Sequence, residues 1–462
     1  MPPSPPSGAR PVVLASNRGP LSFAIGDGDR LETRRGGGGL ITVVGGALEG
    51  SDATWIAAAL SDDDREAATR GVIEAEGYRV RTIVVEDLQA YYDVISNGTL
   101  WFLHHGLFDA PRRPRFDRAW YQAWDGYRSV NETFARAIAE NAPEGADVLV
   151  QDYHLALVPA ALRALRPDVR IVHFHHTPFA SPDAMRALPA AVATELLTGL
   201  AAATACGFHS ERWARAFEAC CAELIETTPR TFVAPAGANI DDIRAVAASD
   251  ACAERLRALD EHVGDRKLIV RVDRIELSKN IARGFLAYDD MLRTHPEWRE
   301  RVVFGAFVYP SREGLAEYLA YRQEVEGLIR RVNEEWGTST WTPILYDAKD
   351  DFPRSVAALR RYDVLLVNPV RDGLNLVAKE GPIVNERDGV LVLSRESGVF
   401  GELGSVALEI HPFDVAGTSD ALHRALSMEA DERGAHAAAV RSRAGARTPE
   451  SWFADQRRAA EL

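Results

Sequence analysis

Short runs rich in Val, Ile and Leu recur along the chain, each followed by an amphipathic stretch, and the runs lack strict polar–apolar alternation. Strands covered by helices on both faces read this way, whereas a strand with one wet face alternates. Candidate strands fall at residues 12–16, 147–151, 170–174 and 231–234, then at 267–271, 301–306, 363–368 and 390–394. Helical periodicity between them includes residues 118–140, 211–223, 313–336 and 419–427. Strand, helix, strand in succession implies βαβ units and a doubly wound sheet. The series runs twice, with a seam over residues 227–265 that carries Pro229, Pro235 and Gly237. The halves are unlike in sequence, which excludes a short-period repeat. The expected fold is α/β, with two Rossmann-like, doubly wound domains facing a central cleft, over residues 1–235 and 236–448.

A length of 462 residues suits such domains, each large enough to bury a core. The formal net charge of -14 disfavours a nucleic acid partner, because a polyanion is repelled on average. A local basic pocket can still take a phosphate. Cys206, Cys220, Cys221 and Cys252 form no C-x-x-C pair and have no histidines at zinc spacing, which reads as thiols in a reducing cytoplasm. No stretch of about 18 apolar residues is free of charge, so no membrane helix is expected. The opening MPPSPPSGAR lacks an apolar core and reads as a short lead rather than a signal peptide.

Active sites in doubly wound sheets lie at the carboxyl ends of strands, so the polar residues there matter most. The first strand runs into Ser16-Asn17-Arg18, and a second turn, Arg34-Arg35-Gly36-Gly37-Gly38-Gly39, precedes a helical stretch. Glycines before a helix let the backbone approach an anion, though a plain surface loop reads the same way. The absence of G-x-G-x-x-G after the first strand argues against NAD. Asp152-Tyr153-His154 and His175-His176-Thr177-Pro178-Phe179 end two successive strands. Metal binding would need a third suitably spaced ligand, and none is found. In the second half, Arg271 and Lys279 flank a turn into a helix, a pattern that suits a diphosphate leaving group or else solvated surface charge. Asp372-Gly373-Leu374-Asn375-Leu376 precedes another helix, and Glu380 lies eight residues after Asp372, about two turns on. Glu380 there can accept from a ribose diol; with Lys379 it can equally be helix-surface charge.

The ordered set S-N-R, G-G-L, Y-Y…S-N…L-W, D-Y-H, H-T-P-F, G-F-H, R-V-D…S-K-N, Y-P-S-R and R-D-G-L-N-L-V-A-K-E resembles the trehalose-6-phosphate synthase family. The likeness runs from Ser16 to about Trp452. It implies retaining transferases of the two-domain GT-B fold, with an acceptor-binding first domain and a nucleotide-sugar-binding second domain. It also implies that residues 449–462 form a helix crossing back to the first domain. By this resemblance Arg271 and Lys279 bind the donor diphosphate, and Asp372 holds hydroxyls of the donor sugar. Gly373, Leu374, Asn375 and Leu376 touch sugar and phosphate, Glu380 takes the ribose, and His176 lies near the donor sugar's O6. Gly38 and Gly39 belong to the loop over the donor phosphate. Arg18, Tyr92, Trp101 and Arg312 correspond to the pocket for the acceptor phosphate, and Asp152 to the carboxylate on the acceptor sugar. Two departures stand out. Arg271 and Lys279 are eight residues apart, whereas the family's motif is R-x-D-x-x-K, and His-Thr-Pro-Phe replaces His-Ile-Pro-Phe.

The resemblance thus implies metal-independent transfer of glucose from UDP- or GDP-glucose to glucose 6-phosphate, with retention. Asp152 and Asp372 hold hydroxyls in this scheme, which leaves no protein nucleophile. The expected reaction is front-face, driven by positioning and electrostatics. On this reading, replacing Arg271 by Ala costs turnover far more than stability. A homo-oligomer is left open. Three rivals share parts of the pattern. A pseudo-glycosyltransferase joining a nucleotide-linked cyclitol to a sugar-like phosphate keeps the same phosphate sites. A pyridoxal-phosphate phosphorylase of like fold needs a longer chain and a Schiff-base lysine. A silent sugar-phosphate sensor should have lost residues that are all present here.

Overall fold

In the computed structural model, residues 10–25, 31–35 and 39–462 are described. They form two compact units: the described residues up to Ala236 together with Pro449–Leu462, and Gly237–Thr448.

The first unit contains β1 (Val12–Ser16), β2 (Leu21–Ile25), β3 (Leu31–Arg35), β4 (Thr54–Ala58), β5 (Val72–Ala75), β6 (Tyr78–Ile83), β7 (Asp147–Gln151), β8 (Arg170–His175), β9 (Ala205–Phe208) and β10 (Thr231–Val233). Eight of these make one sheet in the order β10-β9-β8-β7-β1-β4-β6-β5, parallel except for β5. Leu14 in β1 sits opposite both Trp55 and Leu149. Every residue of β7 is buried, which explains its unbroken apolar reading. The hairpin β2–β3 stands apart and packs Leu21 and Phe23 on Ala67, Tyr78 and Val80. Helix Arg118–Asn141 starts at Asp117, whose carboxylate accepts from the Trp120 amide. It buries Trp120, Trp124, Tyr127, Asn131, Phe134 and Ile138, a spacing of three and four that puts them on one face.

Residues Gln89–Leu100 form a wide π-helix, a rarity concentrated at functional sites. Its hydroxyls follow the wide turn: Ser96 Oγ donates to the Tyr91 carbonyl at 2.8 Å and Thr99 Oγ1 to the Val94 carbonyl at 2.9 Å, each five residues back. Helix Pro449–Ala459 closes the unit and buries Trp452.

The second unit contains β11 (Lys267–Ile275), β12 (Val302–Pro310), β13 (Ile344–Tyr346), β14 (Val364–Val367), β15 (Val390–Ser394) and β16 (Leu408–Ile410). All pair in parallel, in the order β13-β12-β11-β14-β15-β16. The strand expected to end at Arg271 continues to Ile275 and stays paired with β12 throughout, Arg271 opposite Ala306 and Ile275 opposite Pro310. Arg271 is therefore a mid-strand residue, with Asp273 beside it on the same face. Among the described residues no helix is long and apolar enough to cross a membrane.

Candidate functional site

Chain order reverses between β1 and β7 in the first sheet and between β11 and β14 in the second. Such reversals open a crevice at the carboxyl ends of the strands, where ligands bind in sheets of this kind. The residues singled out from the sequence follow these strands or their neighbours.

In the first unit, Arg18 follows β1, is exposed, and donates from Nη2 to the Tyr92 hydroxyl at 3.4 Å. Tyr92 sits in the π-helix and stacks on His154, centroids 5.8 Å apart. Trp101 begins the next turn, stacks on His105 at 3.9 Å, and lies 6.0 Å from the Tyr153 ring. Arg18, Tyr92, Trp101 and the Asp152-Tyr153-His154 segment thus form one neighbourhood. Asp152 has φ 70° and ψ 167°, a region that only glycine adopts readily. Hydrogen bonds through its amide, carbonyl and carboxylate hold it there. Its amide donates to the Phe174 carbonyl at 2.7 Å, its carbonyl accepts from His173 Nε2 at 3.1 Å, and Oδ1 accepts from the His176 amide at 3.2 Å. The His176 ring bonds Gln151 Oε1 at 2.9 Å and His209 Nε2 at 3.1 Å. Burial, then the neighbouring His209 and His173, holds it well below the usual histidine range. Gly38 lies outside the described residues, and Gly39 opens helix Gly39–Leu48.

In the second unit, Lys279 Nζ lies 2.6 Å from Asp372 Oδ2 and 3.7 Å from Asp273 Oδ1. Burial alone would lower the lysine's pKa, but Asp372 and Asp273 outweigh it and the net shift is upward. Asp372 Oδ2 also accepts from Asn375 Nδ2 at 3.1 Å. Asn375 takes φ 84° and its Oδ1 accepts from the Ala378 amide at 3.3 Å, which positions helix Val377–Val384. The Asp372-Gly373-Leu374 backbone is clamped by the loop after β15. Gly398 donates to the Asp372 carbonyl at 3.0 Å, and Ser397 Oγ and the Val399 amide each donate to the Leu374 carbonyl at 2.9 Å. A Cβ at Gly398 would fall 1.7 Å from the Gly373 oxygen, so only glycine fits. Leu376 precedes the helix and accepts from the Glu380 amide at 2.8 Å. Burial first, then Asp242, pushes the Glu380 carboxyl up to about 7.

Arg271 departs from its expected place. Its side chain has 0% exposure. Nη2 donates to Asp273 Oδ2 and to the Lys279 carbonyl, both at 2.9 Å, while Nε and Nη1 have no partner among the described residues. Its guanidinium lies over Gly284, where a Cβ would meet Nη1 at 2.7 Å. A residue not singled out from the sequence is Arg274, whose side chain is 43% exposed near the end of β11. Arg274-Ile275-Glu276-Leu277-Ser278-Lys279 has the five-residue interval of R-x-D-x-x-K, with Glu for Asp. Glu276 is fully buried and lies 3.0 Å from both Arg274 and Arg312, and it accepts from Ser311 Oγ at 3.2 Å. One carboxylate therefore orients two guanidiniums. Arg312, with φ 48°, also donates to the Tyr318 hydroxyl at 2.9 Å. Arg312 belongs to the second unit, whereas Arg18, Tyr92, Trp101 and Asp152 belong to the first.

Among the described residues one trio, His295, Glu297 and His423, brings three potential metal ligands within 4.8 Å. His295 and Glu297 follow helix Ile281–Thr294, which leads back from the carboxyl end of β11 to the start of β12, and His423 lies in helix Val415–Ser427. Nδ1 of His423 already accepts from Trp298 Nε1 at 3.0 Å.

Residues 11–461 match the model of Glycosyltransferase family 20. The chain is 33% identical over 476 residues to a trehalose-6-phosphate synthase of Mycolicibacterium vanbaalenii, covering 96% of this chain and 95% of that one. It is 31% identical over 471 residues to a bifunctional trehalose-6-phosphate synthase/phosphatase of Thermoproteus tenax, covering 96% of this chain but spanning only 62% of the relative. Two solved structures share the fold. One is described as trehalose-6-phosphate from E. coli bound with UDP-2-fluoro glucose (TM-score 0.85, 27% identity, 98% of this chain and 99% of that one). The other is an α,α-trehalose-phosphate synthase (UDP-forming) from Burkholderia xenovorans in complex with glucose-6-phosphate (TM-score 0.84, 29% identity, 98% and 100%).

Proposed function

The chain belongs to glycosyltransferase family 20, and on that premise we propose that it transfers glucose from UDP-glucose to glucose 6-phosphate, with retention, giving α,α-trehalose 6-phosphate. The observation that carries this reading is the Lys279–Asp372 contact of 2.6 Å beside the chain reversal of the second sheet. A cation for the diphosphate and a carboxylate for sugar hydroxyls, side by side, span the bond that a nucleotide-sugar transfer breaks. The UDP-forming relatives and the structures holding a UDP-sugar analogue and glucose 6-phosphate support the choice of substrates.

Lys279 and Arg274 take the charge that builds on the departing diphosphate, and the amides leading into helix Val377–Val384 add their dipoles. Arg271 holds the Lys279 loop from below rather than touching phosphate. Glu380 accepts from the ribose diol, and Asp372 with the Gly373–Leu376 backbone fixes the glucose. Within the first unit, Arg18, Tyr92 and Trp101 receive the acceptor phosphate and Asp152 orients the acceptor sugar, while Arg312 of the second unit is a further cation suited to phosphate. With both carboxylates bound to hydroxyls, the incoming hydroxyl gives its proton to a diphosphate oxygen on the same face as the leaving bond. Fixed cations neutralise the leaving group in this scheme, so no metal is required. Cys206, Cys220, Cys221 and Cys252 are buried and unpaired, which suits a reducing cytoplasm.

The test is a product assay with EDTA present. The protein is incubated with glucose 6-phosphate and, in parallel, UDP-, GDP- or ADP-glucose, and products are followed by mass spectrometry and NMR. An α,α-1,1-linked disaccharide phosphate from UDP-glucose is expected. Nucleotide binding without product from any donor would overturn the proposal in favour of cyclitol coupling or sensing.

A further inference from the structure

We propose that Gln151 and Gln456 are positioning residues that, with His209, fix His176 as its Nε2–H tautomer. This rests on the proposed function and on the place near the donor sugar that the family resemblance implies for His176. The assignment follows from hydrogen-bond direction alone. The Ala236 amide can only donate, and it donates to His209 Nδ1 at 3.3 Å. His209 must therefore carry its proton on Nε2, which faces His176 Nδ1 at 3.1 Å. His176 Nδ1 is then an acceptor, so its proton sits on Nε2, 2.9 Å from Gln151 Oε1. Gln151 Nε2 in turn donates to Gln456 Oε1 at 3.0 Å. Five groups thus form one directed chain, and reversing any link sets donor against donor or acceptor against acceptor.

Burial makes each link matter. Gln151 and Gln456 are fully buried and His209 nearly so. Trp452, also buried, packs its ring 5.6 Å from His176 and 5.1 Å from Phe174. The ring can neither flip nor take a second proton without leaving a buried polar atom unmatched. Both ends of the chain lie at chain crossings. Ala236 is the last residue before Gly237 opens the second unit, and Gln456 belongs to the helix that follows Thr448. The terminal helix is on this account part of the donor-side apparatus.

Three measurements test the proposal: histidine 15N NMR of the intact protein, with His176 identified by difference against His176→Gln; steady-state kinetics of Gln456→Leu; and the same kinetics for Gln456→Glu, which keeps an acceptor for the Gln151 amide. The expected wild-type signature is a pyridine-type Nδ1 and a pyrrole-type Nε2. Gln456→Leu is expected to raise KM for UDP-glucose about five- to tenfold, the effect of one buried hydrogen bond, with KM for glucose 6-phosphate unchanged and the His176 signature mixed. Gln456→Glu keeps the acceptor without a buried charge only as the neutral acid, which burial favours, so its donor KM is expected to lie nearer wild type than that of Gln456→Leu. A wild-type Nδ1–H signature overturns the proposal even if Gln456→Leu fails to fold. So does a folded Gln456→Leu with unchanged donor KM and unchanged tautomer. A wild type that forms no disaccharide phosphate refutes the synthase reading instead, and the tautomer still decides the chain of bonds.

Discussion

Arg271 and Arg274 lie three residues apart on one strand, one side chain fully buried and the other 43% exposed, and the proposed function gives them different roles. Truncating Arg271 to Ala removes a fully buried guanidinium and strands Asp273, whose carboxyl is already raised because burial outweighs Arg271 and Lys279. Breaking a buried ion pair by deleting one partner costs about 3–5 kcal/mol. The lower end applies here, because Lys279 stays 3.7 Å from Asp273 and two of the arginine's nitrogens lack partners among the described residues. At about 2–4 °C per kcal/mol for a domain of this size, Tm should fall by about 6–12 °C. Turnover measured well below that Tm should fall by no more than about tenfold, since only the support of Lys279 is lost. Arg274→Ala should do the reverse. Its pair with Glu276 is half-exposed and Arg312 remains on the same carboxylate, so stability should change by about 1 kcal/mol or less. Losing one fixed donor to a leaving group costs about 10²–10³ in kcat. Thermal unfolding and kinetics with UDP-glucose and glucose 6-phosphate on both variants decide the matter. An Arg271→Ala protein with unchanged Tm and more than 100-fold lower kcat, beside a near-normal Arg274→Ala, would refute this assignment.

Two further outcomes are expected. Glu380 is held at about 7 in the folded protein against 4.5 for an ordinary glutamate, so the fold loses stability as pH rises from about 4.5 through 7. Glu380→Gln should remove that dependence, gaining up to about 3 kcal/mol at pH 8 and little at pH 4.5, while losing nucleotide affinity; equal Tm differences from wild type at the two pH values would contradict the shift. Asp152→Ala and Asp152→Gly should both lose transfer by 100-fold or more, but the Gly variant should be more stable by about 1 kcal/mol because φ 70° costs glycine nothing. Comparing the two melting curves checks this.

Much of the sheet scaffold was legible because β1, β7, β8, β14 and β15 are buried on both faces and read as apolar runs. Other strands hide for identifiable reasons. β6 reads Tyr-Arg-Val-Arg-Thr-Ile, with its arginines partly exposed. β9 is four residues, with Gly207 fitting where a Cβ would strike Phe174 and Phe232. The end of β11 was obscured most instructively. Arg271 and Asp273 look like a polar loop, yet they neutralise each other inside the unit and the strand continues. On the proposed reading, the diphosphate motif starts three residues after the expected strand end, at Arg274 rather than Arg271. The interval Arg274-x-Glu276-x-x-Lys279 was the available signal. The proposed roles of His209 and Gln456 had no local signal, because each acts on a residue distant in sequence.

Four of the nine described non-glycine residues with positive φ fall in the same loops. Non-glycine residues with positive φ include Asp152, Asn280, Arg312 and Asn375. Asp152 follows β7, Asn280 follows Lys279, Arg312 follows β12, and Asn375 lies beyond β14. All four lie in loops at the carboxyl ends of strands flanking or adjoining the chain reversals. Strain of this kind costs on the order of 1–3 kcal/mol per residue and persists only where the surroundings over-determine it. Here the surroundings do. Asp152 is tied through its amide, carbonyl and carboxylate. Asn280 Nδ2 donates to the carbonyls of Asn368 and Pro412. Arg312 is tied to Glu276 and Tyr318, and Asn375 to Asp372 and Ala378. A loop free to relax would shed that strain. Loops held this firmly against it are built to present fixed charges and dipoles, as a reaction governed by positioning and electrostatics requires.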